Sequence, residues 1–283
     1  MSLLAIPFPD FDPVAFSIGP LSVKWYGLAY LAGLLLGWAY IKRLLATPQL
    51  WRNDTPPFPP AKVDDLLLYI TLGVVLGGRL GYVLLYEPAT YLSSPLEIFA
   101  IWKGGMSFHG AFLASALAIW LFARRNGVSV LSTGDLATAA LPIGLFFGRL
   151  ANFINGELFG RVTDVPWAMV FPHARMLYPA VEPATRHPSQ LYEAALEGLL
   201  LFIVLRVLTH ALGALKSPGL VTGTFLTGYA LARSFSEIFR EPHDVHLLNI
   251  GPLTAGQVYS LPMLAVGLYL IWRARRENAP SAR

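Results

Sequence analysis

Seven long apolar stretches constrain the fold of this chain more than any other feature of its sequence. Each runs for about 17 residues or more with few or no charges, the length that a helix needs to cross a bilayer. Of the 283 residues only 13 % are charged and 55 % are hydrophobic, which excludes a disordered protein and disfavours an ordinary soluble domain. The predicted spans are residues 22–42, 63–86, 107–124, 134–155, 189–210, 219–240 and 255–273. The sequence therefore predicts an all-α polytopic membrane protein with about seven transmembrane helices, forming one membrane-embedded domain over residues 1–283.

Basic residues at the ends of the spans predict how the chain is oriented. Twelve of the 21 lysines and arginines fall on one side of the membrane when seven spans are threaded: Lys42, Arg43, Arg52, Lys62, Arg124, Arg125, Arg206, Lys216, Arg273, Arg275, Arg276 and Arg283. Because cytoplasmic loops are enriched in positive charge, this side is predicted to be the cytoplasm. The N-terminus then lies outside, together with an extracytoplasmic arm at residues 87–106 and a small extracytoplasmic head at residues 156–188. The proline-rich loop 47–60 is predicted to be an irregular cytoplasmic connection.

Several kinds of chemistry are excluded by what the sequence lacks. There are no cysteines, so disulfides, thiolate metal sites, iron–sulfur clusters and a cysteine nucleophile of the protein's own are ruled out. The motifs GxSxG, HExxH and the Walker loop are missing, which removes common hydrolases and nucleotide-driven transporters. His173, His243 and His246 show no spacing typical of a metal site. The sequence suggests neither a metal nor a cofactor.

Charged residues inside the apolar spans are the strongest functional signal. An arginine at the centre of a membrane helix costs roughly 2.5–3.5 kcal/mol, so each needs a partner, a polar cavity or an interface. The charges in the spans are Arg79, Arg149, Glu193, Glu197, Arg233 and Glu237. Arg149 shares a helical face with Asn152, and Tyr229 shares one with Arg233 and Glu237. A guanidinium matches phosphate oxygens, so two or three converging arginines suit an anionic phospholipid head group.

Two further segments place polar residues at the predicted outer face. The segment GRLANFINGELFGR (148–161) begins in a span and ends in polar loop residues, which puts Glu157 at the mouth of a cavity. His109 lies in GGMSFHGA (104–111), where the third span enters from outside. Its imidazole is either a general base or acid, or a hydrogen-bonding interfacial residue. His187, at the start of HPSQLYEA (187–194), is interpreted as structural.

Two other functions are compatible with intramembrane arginines. An anion or phospholipid transporter would use them to line a path, but it predicts symmetric halves with broken helices, and no internal repeat is evident. A structural scaffold would pair the arginines internally with glutamates.

The chain resembles the prolipoprotein diacylglyceryl transferases. The resemblance covers nearly the whole sequence, and the run 148–161 is close to the family signature. It is carried by FPDFDPVAFSIGPLSVKWYGLAYLAG (8–33), GGMSFHGA (104–111), GRLANFINGELFGR (148–161), HPSQLYEA (187–194) and RSFSEIFREP (233–242). Ala151, Phe159 and His243 depart modestly from the family pattern, and none of these departures removes a chemically active side chain.

The resemblance implies an activity, its substrates and its location. The family transfers the diacylglyceryl group of phosphatidylglycerol to the lipobox cysteine of a prolipoprotein signal peptide, forming a thioether and releasing glycerol phosphate. It implies no cofactor, no metal and no nucleic acid. It also implies a bacterial cytoplasmic membrane, with contacts to membrane lipids and a site toward the extracytoplasmic side.

The resemblance also implies which residues form the site. Arg149 and Arg233 match the family's essential arginines, and His109 matches its key histidine. Other matching positions are Tyr26, Asn152, Glu157, Gly160, Glu193, Tyr229 and Glu237. We expect Arg149 to bind the lipid phosphate and Arg233 to stabilise the leaving phosphate. Tyr26, Asn152 and Tyr229 would add neutral donors, the three glutamates would hold arginines, and His109 is the first choice for deprotonating the thiol.

Overall fold

Long helices dominate the computed structural model, which describes residues 6–9, 11–171, 184–241 and 253–277. The helices are α1 (Trp25–Leu45), α2 (Val63–Leu85), α3 (Pro88–Ser93), α4 (Phe108–Asn126), α5 (Val130–Ile154), α6 (Ser189–Glu193), α7 (Leu201–His210), α8 (Leu220–Ser236) and α9 (Ala255–Glu277). A π-helical segment, Ala194–Leu200, continues α6 directly into α7. Short 3₁₀ turns lie at Pro48–Leu50, Arg52–Asp54, Pro60–Lys62, Pro95–Phe99, Ile101–Lys103 and Ala214–Lys216.

A helix lies at each of the seven predicted spans. Among the described residues, three stretches are long and apolar enough to cross a membrane: Trp25–Leu45, Pro60–Leu85 and Val130–Ile154. The helix α8 has 17 residues, and the π-helical segment divides the fifth predicted span. The mostly helical membrane architecture is therefore confirmed, while the count of seven spans stays a prediction.

Two small sheets supplement the predicted all-α architecture. Strand β1 (Ile6–Pro7) pairs in parallel with β4 (Met169–Val170), and β2 (Val14–Ile18) pairs antiparallel with β3 (Leu21–Lys24). Strands of two to five residues are too short to leave a clear periodic signal beside apolar runs of helical length. The prediction of a purely helical fold was incomplete for this reason.

The chain divides into two compact units. The first comprises Met1–Tyr40 and Thr138–Arg283, and the second comprises Ile41–Ala137. The predicted single domain over 1–283 stays a prediction, as does the assignment of arm and head to the outside. His173, His243, His246 and the tail after residue 277 lie outside the described residues.

Small residues allow the helices of the second unit to pack closely. A Cβ on Gly81 of α2 would lie 2.7 Å from the Cα of Gly110 in α4, and one on Gly73 would lie 2.8 Å from the carbonyl oxygen of Ala114. The loop 47–60 is irregular, as predicted, and it is anchored by Trp51, whose indole Nε1 donates to the Leu44 carbonyl at 2.9 Å.

Close contacts at glycines also position the helices of the first unit. A Cβ on Gly33 of α1 would lie 3.0 Å from the Cα of Gly144 in α5, and one on Gly198 of the π-helical segment would lie 2.6 Å from the Cβ of Phe146. Phe153 at the end of α5 forms a buried aromatic cluster with Phe159 and Phe171 of the head, and Leu191 of α6 packs against this cluster. These contacts bring the end of α5 and the start of α6 together.

Candidate active site

The turn after α5 sets the first wall of the site. Gly156 has φ 64°, and Leu158 has φ 57°, which is rare for a residue with a side chain. The first turn of α6 holds this conformation, since Ser189 Oγ donates to the Leu158 carbonyl at 3.1 Å and Gln190 Nε2 donates to the Glu157 carbonyl at 2.6 Å. The end of α5 and the start of α6 therefore present their polar side chains in a fixed relation.

Six charged side chains of the first unit form a connected cluster, here named the Arg–Glu network. Its members are Arg149, Glu193, Glu197, Arg233, Glu237 and Arg240. The side chains of Glu193 and Glu197 are fully buried, and those of Arg149 and Arg233 are 16 % and 13 % exposed. The formal charges of the six members cancel, which lowers the cost of placing them in an apolar environment.

Glu193 is the centre of the network because its carboxylate meets three arginines. One oxygen lies 3.1 Å from Arg149 Nη1, and the other lies 2.6 Å from Arg233 Nη1 and 3.4 Å from Arg240 Nη1. Glu197 receives Arg149 Nη2 at 3.1 Å and Nε at 3.3 Å. Two carboxylates thus fix the plane of the Arg149 guanidinium.

Arg233 is held on both sides of its guanidinium. Its Nη1 contacts Glu193, and its Nη2 lies 2.6 Å from Glu237, one turn later on the same helical face. The predicted face shared by Tyr229, Arg233 and Glu237 is therefore present in α8. Both predicted arginines are preorganised, with a small exposed edge each.

The neutral residues predicted for the site lie beside the network. Tyr26 is hydrogen-bonded to Tyr30 through the two hydroxyls at 3.1 Å, and it interacts electrostatically with Glu157 and Arg149. Tyr229 is buried and interacts electrostatically with four members of the network. These are Glu193, Glu197, Arg149 and Arg233. Nine of the ten predicted site residues accordingly lie in the first unit.

Glu157 has a different partner from the one expected of it. It accepts a hydrogen bond from Asn152 Nδ2 at 2.7 Å, whereas the sequence suggested that it would hold an arginine. The turn at Leu158 separates it along the chain from Glu193 of α6 and Glu197 of the π-helical segment, which supply the carboxylates that contact Arg149. Glu157 therefore orients the Asn152 amide.

Gly160 acts through its backbone. Its N–H donates to the His187 carbonyl at 2.9 Å, and a Cβ would lie 2.5 Å from the Phe239 carbonyl oxygen and 2.6 Å from the His187 carbonyl oxygen. No side chain fits between these two strands of backbone. The position is therefore explained by close approach of the chain, not by chemistry at the glycine.

His187 is held by a hydrogen bond, and the structural role interpreted from the sequence stays a prediction. Its Nδ1 is hydrogen-bonded to the Tyr192 hydroxyl at 3.1 Å, and Trp167 Nε1 donates to that same hydroxyl at 2.6 Å. Burial lowers the pKa of His187 below its ordinary value, so the ring is neutral near pH 7.

His109 lies in the second unit, whereas the other nine predicted site residues lie in the first. It is the second residue of α4, whose first turn is capped by Ser107 Oγ accepting from the Gly110 N–H at 3.2 Å. Its ring contacts Phe108 with centroids 5.9 Å apart. The structure shows how this histidine is mounted, and its catalytic role stays a prediction.

Glu197 and Arg240 are site residues that the predicted set omitted. Glu197 follows Glu193 by four residues on one helical face, whereas Arg240 lies beyond the end of α8 at Ser236 and forms a β-bridge with Gly160. The four-residue spacing was the available signal for Glu197, and helical periodicity does not identify Arg240. Among the described residues, no group of three or more His, Asp or Glu side chains is arranged to hold a metal ion.

An apolar groove of about 280 Å³ runs beside the network within the first unit. Its lining residues are Leu36, Pro142, Ile143, Phe146, Gly198, Leu199 and Phe202. Phe146 precedes Arg149 by about one helical turn, and Gly198 directly follows Glu197. The groove and the network therefore take residues from the same two stretches of helix, α5 and the run from α6 into α7.

The helices define a mostly helical membrane protein, and its first unit contains a buried Arg–Glu network and an apolar groove. Comparison with known proteins identifies the family. The family model described as prolipoprotein diacylglyceryl transferase matches residues 13–273, and the chain belongs to this family.

Curated relatives match over almost their full lengths. The chain is 54 % identical over 281 residues to a protein of Rhizobium leguminosarum bv. trifolii (strain WSM2304), covering 98 % of this chain and 97 % of the relative. It is 54 % identical over 278 residues to one of Rhizobium meliloti (strain 1021) and 52 % identical over 283 residues to one of Phenylobacterium zucineum (strain HLK1), each covering 98 % of this chain and 97 % of the relative. All three relatives are named phosphatidylglycerol–prolipoprotein diacylglyceryl transferase.

Proposed function

We propose that this protein transfers the diacylglyceryl group from phosphatidylglycerol to the lipobox cysteine thiol of a prolipoprotein. The names of its relatives support this activity. The observation that carries it is the Arg–Glu network beside the apolar groove, because this pair of surfaces fits a phosphate and an acyl chain of one lipid. No observation favours a transporter.

Arg149 binds the lipid phosphate in this proposal. Its guanidinium is locked by Glu193 and Glu197, and its side chain keeps a 16 % exposed edge. A guanidinium that is already oriented loses little conformational entropy when it takes up phosphate oxygens. The groove then receives the adjoining apolar part of the lipid.

Arg233 stabilises the charge that develops on the leaving group. The thiol sulfur forms a bond to the glyceryl carbon, the bond from that carbon to the phosphate oxygen breaks, and glycerol phosphate leaves with the electron pair. A fixed cation near that oxygen favours the transition state over the ground state. Glu193 and Glu237 keep the Arg233 guanidinium in place.

The thiol proton passes to a base, and we propose His109 for this role. A free thiol has a pKa near 8.5, so only a small fraction is thiolate at neutral pH. A neutral imidazole is suited to accept the proton as the sulfur attacks. Asn152, Tyr26 and Tyr229 add neutral hydrogen-bond donors to the phosphate region.

The proposed setting is the bacterial cytoplasmic membrane. Seven spans would place the N-terminus, the arm and the head outside and the tail inside, in accord with the distribution of basic residues. The active site would then open toward the extracytoplasmic side, where the prolipoprotein presents its lipobox.

Mass spectrometry tests the activity directly. The full chain is mixed with phosphatidylglycerol and a lipobox peptide, and the expected result is a peptide heavier by one diacylglyceryl group, with one glycerol phosphate released per peptide. A peptide with serine in place of the lipobox cysteine is the control. A peptide that keeps its mass while lipid moves between leaflets would favour a transporter.

The groove offers a matched pair of variants. Leu36 and Leu35 are neighbours on α1 with 50 % and 52 % exposure, and Leu36 lines the groove whereas Leu35 does not. Leu36→Trp should slow transfer from long-chain phosphatidylglycerol more than from a short-chain form, while Leu35→Trp should not. Equal effects of the two variants would contradict lipid binding in the groove.

A further inference from the structure

Arg79 stands apart from the other intramembrane arginines because its partners are backbone carbonyls. It is 4 % exposed in α2. Its Nε donates to Ile98 at 2.8 Å, and its Nη2 donates to Glu97 at 2.6 Å. Its Nη1 donates to the carbonyls of Gly104 at 2.6 Å and Gly105 at 3.1 Å.

All of these carbonyls belong to the arm, residues 87–106. A fifth contact joins Nη2 to the Ala100 carbonyl at 3.4 Å, and the guanidinium also lies 5.0 Å from the ring centroid of Tyr91. The arm consists of α3, two 3₁₀ turns and irregular backbone, and of these five carbonyls those of Glu97 and Ala100 also accept from the backbone N–H groups of Ala100 and Lys103, both at 3.1 Å. The Arg79 guanidinium has five N–H groups, and it donates to all five of these carbonyls.

The arm leads directly into the helix that carries His109. Gly104 and Gly105 have φ 85° and 78°, and Ser107, two residues later, caps α4. The Ser107 N–H also donates to the Gly78 carbonyl, next to Arg79, at 2.8 Å. The same turn of α2 thus fixes the arm and the beginning of α4.

We propose that Arg79 is a positioning residue for the transfer reaction, which holds the arm and thereby sets the position of His109. This inference rests on the proposed function. Its five hydrogen bonds hold the irregular arm in a fixed position on α2. Loss of the fork should loosen the arm and impair turnover while lipid binding by Arg149 persists.

Arg79→Gln tests the inference in the full chain in phosphatidylglycerol vesicles. Lys103 is a trypsin site within the arm, and its side chain is 58 % exposed. We expect cleavage after Lys103 to accelerate at least about tenfold, because local opening governs proteolysis. We expect kcat for the lipobox peptide to fall about a hundredfold, the effect of a small misplacement of a catalytic group. The KM for phosphatidylglycerol should change less than about threefold.

Two further variants and a control complete the design. Arg79→Lys keeps the charge without the planar fork and should give an intermediate defect. Gly105→Ala would place a Cβ 2.9 Å from Arg79 Nη1, so it should reproduce the defect from the carbonyl side. Glu97→Gln removes the exposed Lys103–Glu97 ion pair, 2.7 Å long, without touching the Glu97 carbonyl, and should leave kcat unchanged.

The outcomes separate the competing explanations. Unchanged cleavage at Lys103 would refute the anchoring of the arm, and faster cleavage with unchanged kcat would refute its link to catalysis. Equal losses in kcat and lipid binding in all three test variants would show a general structural role and overturn the proposal. A wild-type protein that leaves the peptide unmodified would refute the proposed function instead, while cleavage at Lys103 would still decide whether Arg79 holds the arm.

Discussion

Glu193→Gln should be the most damaging conservative change in the Arg–Glu network. The Glu193 carboxylate meets Arg149, Arg233 and Arg240 at 3.1, 2.6 and 3.4 Å, and it is fully buried. Glutamine keeps the shape but leaves the network with three arginines and two carboxylates. Breaking a buried ion pair by removing one partner costs about 3–5 kcal/mol, which corresponds to a loss of at least about a hundredfold in the equilibrium constant for folding. Transfer should also fall, because both arginines lose their common support.

The assay is unfolding by SDS in mixed micelles, followed by circular dichroism, beside the peptide transfer assay. Glu97→Gln removes an exposed ion pair and is the matched control, with an expected change of about 0–1 kcal/mol. Arg240→Gln restores equal numbers of positive and negative charges when it is combined with Glu193→Gln. The double variant should therefore recover part of the stability, with a coupling energy of about 0.5–3 kcal/mol.

Charge balance as the basis of the network would be refuted by two results. One is a Glu193→Gln protein as stable as the Glu97→Gln control. The other is strict additivity in the double variant, which would mean that Arg240 and Glu193 contribute independently.

Other residues give further expectations. Arg149→Lys keeps the charge but loses the fork, so the protein should fold and insert yet lose most transfer, whereas normal turnover would leave Arg149 as a point charge. His109→Gln should bind phosphatidylglycerol normally and transfer about a hundredfold more slowly near pH 7. Part of that loss should return toward about pH 9 as the thiol ionises, and a deficit constant across pH would contradict a base role. Cysteines replacing Asp164 and Ala279, the latter outside the described residues, should react with an impermeant maleimide from opposite sides; labelling of both from outside would contradict the predicted orientation.

The helices could be predicted because the bilayer imposes a length. For example, the predicted span 63–86 is α2 at Val63–Leu85, and 107–124 is α4 at Phe108–Asn126. The short strands β1 and β4 could not be predicted, because they pair residues far apart in sequence and are two residues long. Their existence depends on where the head folds back, which no local pattern encodes.

The sequence predicted which residues belong to the candidate site better than it predicted which of them contact each other. Arg149, Arg233, Glu193 and Glu237 were identified by charge within apolar spans, and the structure joins all four. Glu157 was expected to hold an arginine, but it accepts a hydrogen bond from Asn152. Its partner depends on the left-handed turn at Leu158, which is a tertiary effect that the sequence does not show.

Arg79 shows the same limit from another direction. The sequence grouped it with Arg149 and Arg233, since all three are arginines within apolar spans. Its partners are backbone carbonyls, which every residue possesses and which therefore leave no mark in a sequence.

The equal count of positive and negative side chains in the Arg–Glu network has an electrical consequence. A net charge that crosses the full transmembrane voltage gains or loses about 2.3 kcal/mol per 100 mV, so unbalanced arginines would be pulled toward one face in an energised cell. The network carries three arginines against three glutamates, and the field exerts no net force on it. The network itself should therefore add little to any voltage sensitivity of turnover, which would come instead from charges outside it, such as Arg79 or those of the substrates.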